Sequence, residues 1–394
     1  MVTTEHNVDT TWVMGVEKER QIPLYAKRDI ALVRGEGAYL FDADGRRYLD
    51  AMSNYGVAVL GHAHPAWTAA MTEQLGTLTT GHQSFGSDVR ALLLDELRGI
   101  SPEGLDRAFL SNSGAEAIEA GLKFARAATG RPKIVAARRG YHGRTLGALS
   151  ATAEKKYREP FEPLPIPATH VAFNDADALE EAVDEETAAV IIEPIQGEGG
   201  IHVADAAFLM RAREVATAKG ALLIADEVQS AVRTGEPFVT VAAGVVPDII
   251  CTAKALANGF PIGLTLVTEA ISAGLPAGAH GSTFGGNPLA CRAALETLRI
   301  LREDDLYGRA ATLGQSIIDG ITALESRQIR AVRGRGLMIG VELKQKATPV
   351  LRGLQERGVL ALPAGNLVVR FLPPLVWEQA QADELVTALG ETLA

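Results

Sequence analysis

Two stretches of the sequence decide the fold: Ala221-Leu222-Leu223-Ile224-Ala225-Asp226 and Asp248-Ile249-Ile250-Cys251-Thr252-Ala253-Lys254. Each is a short apolar run with an ionisable residue at or just beyond its end. Apolar runs of this length are typical of strands buried on both faces of a mostly parallel sheet. Because the carboxyl ends of parallel strands meet at one edge of a sheet, we expect Asp226 and Lys254 to lie close together there.

Similar apolar runs recur along the chain and alternate with helical segments, with Gly and Pro between them. They lie at residues 107–110, 133–137, 188–192 and 263–267. This alternation predicts the α/β class. A length of 394 residues exceeds the usual size of a single core, so we expect a large domain with a mostly parallel sheet and a smaller α+β domain.

The same pattern divides the chain into three segments. Residues 1–50 are expected to form an N-terminal segment, with a hairpin-like element, that packs with the small domain. Residues 51–286 carry most strand and helix repeats and form the predicted large domain. Residues 287–394 open with a long helical stretch, continue with strands that look antiparallel, and form the predicted small domain.

Charge and cysteine content narrow the partners and the compartment. A net charge of −10 gives no electrostatic footprint for nucleic acid or for an anionic membrane. Cys251 and Cys291 are too few for a disulfide framework or a cysteine zinc site, which favours a reducing cytoplasm. The stretch at 1–6 lacks a basic segment followed by an apolar one, and no apolar run is long enough to span a bilayer. We therefore expect a cytoplasmic protein.

Ser113, Gly114 and Ala115 follow a predicted strand and open a predicted helix. Unpaired N–H groups and the positive end of the helix dipole make such a position a phosphate site, and Gly114 lets the backbone approach closely. A plain helix cap at Ser113 explains the same residues equally well when they are taken alone.

Tyr141 and Arg144 lie in the segment Tyr141-His142-Gly143-Arg144-Thr145, which follows another predicted strand. An aromatic side chain there can stack on a pyridine ring, and an arginine fork suits a substrate carboxylate. A packed surface loop is the simpler interpretation of this segment by itself.

The Asp226 and Lys254 pair points to pyridoxal phosphate (PLP). A carboxylate can keep the pyridine nitrogen protonated, and an amine whose pKa is lowered by burial can form a Schiff base. Gln229 can bond the phenolic oxygen of the ring. An isolated lysine would more often be one that reaches to solvent along an apolar surface, so the prediction depends on the pair.

Two other patterns carry less weight. His62 and His64 have no carboxylate or cysteine at ligand spacing in the sequence, so we predict no metal site. Gly334-Arg335-Gly336 lacks the third glycine of a dinucleotide fingerprint and leads into a strand.

Taken together, seven motifs strongly resemble the class III, fold-type I, PLP-dependent aminotransferases. They are Ser113-Gly114-Ala115, Tyr141-His142-Gly143-Arg144-Thr145, Glu193-Pro194-Ile195-Gln196-Gly197-Glu198-Gly199-Gly200, Asp226-Glu227-Val228-Gln229, Ala253-Lys254-Ala255, Gly281-Ser282-Thr283-Phe284-Gly285-Gly286-Asn287-Pro288 and Arg370-Phe371-Leu372-Pro373-Pro374-Leu375. The chain most resembles the acetylornithine aminotransferases and their relatives in lysine biosynthesis, which act on lysine or ornithine attached to an amino-group carrier protein.

This resemblance implies a role for each candidate residue. Lys254 is the implied Schiff-base lysine, Asp226 the partner of the ring nitrogen, Gln229 the partner of the phenolic oxygen and Tyr141 the stacking aromatic. The implied phosphate ligands are Ser113, Gly114 and Ala115. Thr283 is implied to bind the phosphate in the site of the neighbouring subunit, so we also expect a homodimer. Arg144 and Arg370 are implied to bind substrate carboxylates, and Glu198 to pair with Arg370 when a donor without a carboxylate there is bound.

The implied reaction moves the terminal amine of N-acetylornithine, or of a similarly blocked ornithine or lysine, to 2-oxoglutarate in arginine or lysine biosynthesis. Tyr55, with Tyr25, leaves the donor open, because tyrosine at the Tyr55 position is a feature of the ornithine and carrier-linked enzymes. The loop after Gln229, Ser230-Ala231-Val232-Arg233-Thr234-Gly235, is also shorter than the family pattern.

Other functions fit the pattern less well. An aminomutase, a decarboxylase or a racemase would keep Lys254 and Asp226, but the Glu198 and Arg370 pair suits a site that recognises both an amine and a dicarboxylate. A non-catalytic PLP-binding regulator would need an attached DNA-binding domain, for which the chain has neither spare length nor a basic patch.

Overall fold

Residues 9–394 are described by a computed structural model. The stretch at 1–6, for which the sequence predicts no leader, lies outside the described residues. The helices are α1 Thr10–Arg20, α2 Ser53–Gly56, α3 Pro65–Thr77, α4 Asp88–Arg98, α5 Gly114–Thr129, α6 Leu146–Ala151, α7 Lys155–Arg158, α8 Ala176–Ala182, α9 Ala206–Lys219, α10 Val239–Ala242, α11 Glu269–Ala273, α12 Pro288–Glu303, α13 Leu306–Ala323, α14 Ala347–Glu356 and α15 Gln379–Leu393.

The strands form three larger sheets and one short hairpin. They are β1 Leu32–Glu36, β2 Tyr39–Asp42, β3 Arg47–Asp50, β4 Arg107–Ser111, β5 Lys133–Ala137, β6 Ala168–Val171, β7 Thr187–Ile192, β8 Ile195–Gln196, β9 His202–Val203, β10 Leu222–Asp226, β11 Ile249–Thr252, β12 Gly263–Val267, β13 Ile329–Arg335, β14 Met338–Leu343, β15 Val359–Leu360, β16 Leu362–Ala364 and β17 Val368–Phe371.

The central sheet has seven strands in the order β4-β12-β11-β10-β7-β5-β6. The pairs from β11 to β6 are parallel, and β12 is antiparallel to both of its neighbours. Every residue of β7 and β11 is buried, because helices such as α5 and α9 cover the two faces. This arrangement confirms the predicted α/β fold with a mostly parallel sheet.

The C-terminal part contains the antiparallel sheet β13-β14-β17-β16. The N-terminal strands β1, β2 and β3 form one sheet with β15, whose Val359 pairs in parallel with Leu49. The segment before residue 50 therefore joins the C-terminal part through backbone hydrogen bonds. One apolar cluster continues from α3 and α4 through α12 to the C-terminal sheet, so the domain division at residue 287 stays a prediction.

Helix α12 begins where the sequence places its boundary. The side chain of Asn287 accepts a hydrogen bond from the backbone N–H of Ala290 at 2.8 Å, and Pro288 occupies the first turn. Both features favour a helix start. Of the helices between residues 9 and 394, none is both long and apolar enough to cross a bilayer.

Candidate active site

A cavity of about 420 Å³ opens at the carboxyl edge of the central sheet. β10 ends at Asp226, and the parallel neighbour β11 ends two residues before Lys254, with Asp226 in register with Cys251. Both ionisable residues line the cavity. It also brings together the predicted residues Gly114, Ala115, Tyr141, Arg144 and Gln229.

Asp226 is buried and has a partner that the sequence did not reveal. One carboxylate oxygen is 2.7 Å from Nδ1 of the fully buried His142, and the other accepts the backbone N–H of Val228 at 3.0 Å. Burial opposes protonation of His142, but the hydrogen bond to Asp226 and the charges of Asp226 and Glu193 together outweigh burial and raise the pKa of the imidazole. A histidine that keeps its proton fixes the orientation of the Asp226 carboxylate.

Glu193 was also missed as a functional residue, although it begins one of the quoted motifs. Its carboxylate accepts the backbone N–H of Tyr141 at 2.8 Å and that of Gly197 at 3.0 Å. It therefore ties the loop of Tyr141 to the segment that follows β7. Burial raises the pKa of Glu193 to about 7, and the charge of Asp226 acts in the same direction.

Lys254 begins a short 3₁₀ turn with a φ of +42°, in the left-handed region that a residue with a Cβ rarely adopts. Strained backbone of this kind is found at functional sites, where the surrounding structure enforces it. Burial lowers the pKa of the ammonium group. A neutral amine is therefore available at a lower pH than for a solvated lysine.

The predicted phosphate cradle lies at the start of α5. The hydroxyl of Ser113 accepts the backbone N–H of Glu116 at 3.2 Å, so Ser113 serves as the helix cap that explained these residues equally well. Gly114 and Ala115 line the cavity, and first-turn N–H groups have no partner within a helix. A Cβ on Gly114 would lie 2.6 Å from Val228, so this close approach requires glycine.

Arg370, Glu198 and Gln229 form a chain of contacts beside the cavity. Nη1 of Arg370 is 2.7 Å from a Glu198 carboxylate oxygen and donates to Oε1 of Gln229 at 2.9 Å. The side chain of Arg370 is fully buried, whereas that of Glu198 is 26% exposed. Nε and Nη2 of Arg370 have no hydrogen-bond partner among the described residues. These free donors suit a substrate carboxylate.

Tyr55 lies above this chain, with its ring centroid 5.5 Å from Cζ of Arg370. It belongs to α2, in which all four residues, Ser53 to Gly56, have φ between +37° and +84°. Left-handed backbone costs a residue with a Cβ roughly 1–2 kcal/mol. α2 is therefore a strained left-handed turn, not a normal helix, and other contacts must hold it.

Arg144 is exposed at the mouth of the cavity. Its guanidinium lies 3.7 Å from the ring centroid of Tyr157, and its Nε donates to the hydroxyl of Tyr141 at 3.2 Å. Stacking on Tyr157 orients the arginine without neutralising it. A carboxylate entering the mouth therefore meets a positioned cation.

Two predicted residues lie away from this cavity in the same chain. Thr283 is exposed in the loop before α12. Tyr25 is 81% exposed and borders a separate cavity beside α1. The structure does not bring either side chain together with Lys254.

The shortened loop after Gln229 closes through Val232, whose φ of +75° falls in the region that favours glycine. The hydroxyl of Ser230 donates to the Glu227 carboxylate at 2.6 Å. Arg233, which follows Val232, is fully buried. The shorter loop therefore places the guanidinium of Arg233 in the core.

Comparisons with known proteins agree with this geometry. The sequence profile of the family described as aminotransferase class-III matches residues 24–393. The chain belongs to the class-III aminotransferases. It is 46% identical over 384 residues to the [LysW]-aminoadipate semialdehyde transaminase of Deinococcus radiodurans, covering 96% of this chain and 90% of that protein.

Two further relatives of this aminotransferase are named for different substrates. The acetylornithine aminotransferase of Mycobacterium bovis is 44% identical over 374 residues, covering 94% of this chain and 93% of that protein. The solved ornithine aminotransferase of Toxoplasma gondii has a TM-score of 0.92 and 33% identity, covering 98% of this chain and 94% of that chain. Enzymes of this family depend on PLP, which confirms the cofactor predicted from the sequence.

The residues of the cavity fit that cofactor. Lys254 supplies an amine whose pKa is lowered by burial, and Asp226 supplies a buried carboxylate fixed by His142. Gly114 leaves room at a helix start for a phosphate group. These three features would meet the aldehyde, the ring nitrogen and the phosphate of PLP.

Proposed function

We propose that this aminotransferase moves the terminal amine of N-acetylornithine, or of a similarly blocked ornithine or lysine, to 2-oxoglutarate. The products are the corresponding semialdehyde and glutamate. The pair of Glu198 and Arg370, 2.7 Å apart, is the observation that carries this proposal. A buried cation with a partly exposed carboxylate as its partner suits a pocket that must accept both an amine donor and a dicarboxylate.

The residues of the cavity divide the work between cofactor and substrate. When bound, PLP supplies an aldehyde that condenses with an amine and a ring that accepts electron density. Lys254 would attach it and, once displaced by the incoming amine, take the proton from the carbon that carried that amine. Asp226, oriented by His142, would keep the ring nitrogen protonated. Tyr141 would stack on the ring, and Gln229 would bond the phenolic oxygen.

On the substrate side, Arg370 would change its charged partner between the two half-reactions. A terminal amine donor places no anion near Arg370, so Glu198 neutralises it in that half-reaction. 2-Oxoglutarate brings a carboxylate that the free donors of Arg370 can bind in its place. Arg144 at the mouth would hold the α-carboxylate of the donor.

A comparison of donors tests the proposal. We expect kcat/KM with 2-oxoglutarate as acceptor to be higher for N-acetylornithine or a carrier-linked lysine than for unblocked α-amino acids. Glu198→Ala should raise the reactivity of L-glutamate relative to N-acetylornithine, because Arg370 then stays free. A parent enzyme that prefers ordinary α-amino acids as donors would overturn the proposal.

A carrier-linked donor is the second candidate, and Tyr55 favours it. The ring of Tyr55 lies over Arg370. A tyrosine at this position is the feature in which this chain resembles the carrier-linked and ornithine enzymes. A relative named [LysW]-aminoadipate semialdehyde transaminase supports the same candidate. Activity with lysine linked to the purified carrier, measured against N-acetylornithine, separates the two donors.

The working unit in this proposal is a homodimer or an assembly of dimers. Thr283 is exposed and does not line its own cavity, as expected of a residue that completes the phosphate site of a neighbouring subunit. Sedimentation showing a fully active monomer loaded with PLP would contradict this assembly. A cytoplasmic location belongs to the same proposal, because Cys251 and Cys291 are both free and buried.

A further inference from the structure

Arg233 is an unusual residue in this protein. Its side chain is fully buried, yet its hydrogen bonds go to two neutral oxygens, the carbonyl of Leu337 at 2.8 Å and the hydroxyl of Ser53 at 3.3 Å. Its Nε has no hydrogen-bond partner among the described residues. Burial, reinforced by the charge of Arg370, lowers the pKa of Arg233 to about 9. Burying a cation among neutral hydrogen-bond partners costs free energy, so the position of Arg233 calls for an explanation.

The guanidinium lies directly beneath the left-handed turn α2. A Cβ on Gly56 would be 3.2 Å from Nε of Arg233 and 3.3 Å from its Cζ. Glycine at this position, with a φ of +84°, therefore lets the turn rest on the flat face of the arginine. The contact joins the shortened loop after Gln229 to a turn 180 residues earlier in the chain.

Ser53, the first residue of this turn, makes hydrogen bonds that hold the turn in place. The hydroxyl of Ser53 donates to the carbonyl of Leu372 at 2.5 Å while it accepts from Arg233, and the backbone N–H of Ser53 donates to Asp50 at 2.8 Å. Leu372 lies two residues after Arg370. Ser53 and Arg233 therefore tie the turn to the segment that carries the substrate arginine.

We propose that Arg233 is a positioning residue for donor selection: by holding the turn at residues 53–56 from beneath, it sets where Tyr55 stands over Arg370. Three consecutive residues with a Cβ are left-handed in this turn, and such a conformation persists only where its surroundings enforce it. Without Arg233 the turn relaxes, and the ring of Tyr55 leaves the guanidinium. Arg370 then becomes more accessible to the carboxylate of an ordinary α-amino acid.

This inference rests on the proposed function, and a double-mutant cycle tests it on the holoenzyme. The readout is the ratio of kcat/KM for N-acetylornithine to kcat/KM for L-glutamate in the donor half-reaction, measured by stopped flow. Tyr55→Ala and Arg233→Met should each lower this ratio by about tenfold. The double variant should fall no further than the lower of the two singles, because both changes remove the same contact. PLP content should stay at the parent level.

Three further variants keep the test sharp. Gly56→Ala puts a methyl group against the guanidinium and should reproduce the effect of Arg233→Met. Arg233→Lys should not rescue the ratio, since one ammonium cannot span Leu337 and Ser53 as the planar fork does. The matched control is Arg131→Met, which removes a half-buried arginine that bonds backbone carbonyls at the far end of the sheet and should leave the ratio unchanged.

The outcomes separate the inference from the proposed function. If the ratio falls in Tyr55→Ala but the effects of Tyr55 and Arg233 multiply, or if Arg233→Met lowers only stability, the positioning role is wrong and the function stands. A parent enzyme inactive with N-acetylornithine and with carrier-linked lysine would refute the proposed function itself.

Discussion

The cofactor side of the cavity and its substrate side are built from different kinds of structure. Asp226 and Lys254 follow adjacent parallel strands of one sheet, so backbone hydrogen bonds fix their spacing. Arg370, Glu198 and Tyr55 come from three separate segments, and contacts between their side chains bring these residues together. The groups assigned to the cofactor are therefore spaced by the register of one sheet, whereas those assigned to the substrate depend on packing between segments far apart in the chain.

Removal of Lys254 should give the largest effect and would test the cofactor side directly. We expect Lys254→Ala to lower kcat by at least roughly 10⁴-fold, because it loses both the attachment point and the proton carrier. PLP binding through the phosphate should persist in part. Steady-state assays with absorbance spectra measure both properties. Near-parental turnover in this variant would refute the role assigned to Lys254.

Asp226→Asn should come next, with a loss of about 10²–10³-fold in the single-turnover rate, as for removal of one preorganised electrostatic contact. The amide no longer favours a protonated ring nitrogen. Asp248→Asn is the matched control, because Asp248 accepts the N–H of Leu223 at the opposite edge of the same sheet. The control should lose stability without a specific loss of chemistry. Equal rate losses in the two variants would show that Asp226 is only structural.

Arg370→Ala tests the substrate side and should be selective. We expect the 2-oxoglutarate half-reaction to lose about 2 kcal/mol of transition-state binding, or roughly 30-fold, with a smaller loss for the amine donor. Arg330→Ala, which breaks only an exposed ion pair with Glu342, should affect neither half-reaction. If Arg370→Ala slowed both half-reactions equally, the exchange of partners would be excluded and the pair with Glu198 would be static.

Glu193, which holds the backbone N–H of Tyr141, should give the smallest effect, visible in the pH dependence of stability. Burial raises its pKa from the ordinary 4.5 to about 7, so between these values the native protein holds a proton that the unfolded chain has released. The stability contributed by this group is therefore complete below pH 4.5 and is lost as pH rises to about 7.

The variant Glu193→Gln checks this expectation. Relative to the variant, the parent should lose up to about 1.4 kcal/mol of unfolding free energy per pH unit in that window. Denaturant unfolding at several pH values measures the difference, with the exposed Glu185→Gln as control. A parallel pH dependence in parent and Glu193→Gln would show that Glu193 is ionised throughout.

What the sequence by itself determined was the part that depends on local pattern. Apolar runs predicted the strands of the central sheet except β6, Ala168–Val171, which has no continuous apolar run. The residues at the ends of two runs predicted the pairing of Asp226 with Lys254, because parallel strands end at a common edge. The long helical stretch that opens the segment at residue 287 was also predicted from the pattern. Motifs in chain order identified the family and its cofactor.

Only the tertiary structure decided the contacts between distant segments. His142 behind Asp226, Glu193 between two loops and Arg233 beneath the turn of Tyr55 join residues 52 to 180 positions apart, and no periodicity encodes such pairs. The left-handed turn at 53–56 was equally hidden, since its residues prefer other conformations when free. Packing supplies the energy that holds them, so their geometry exists only in the folded chain.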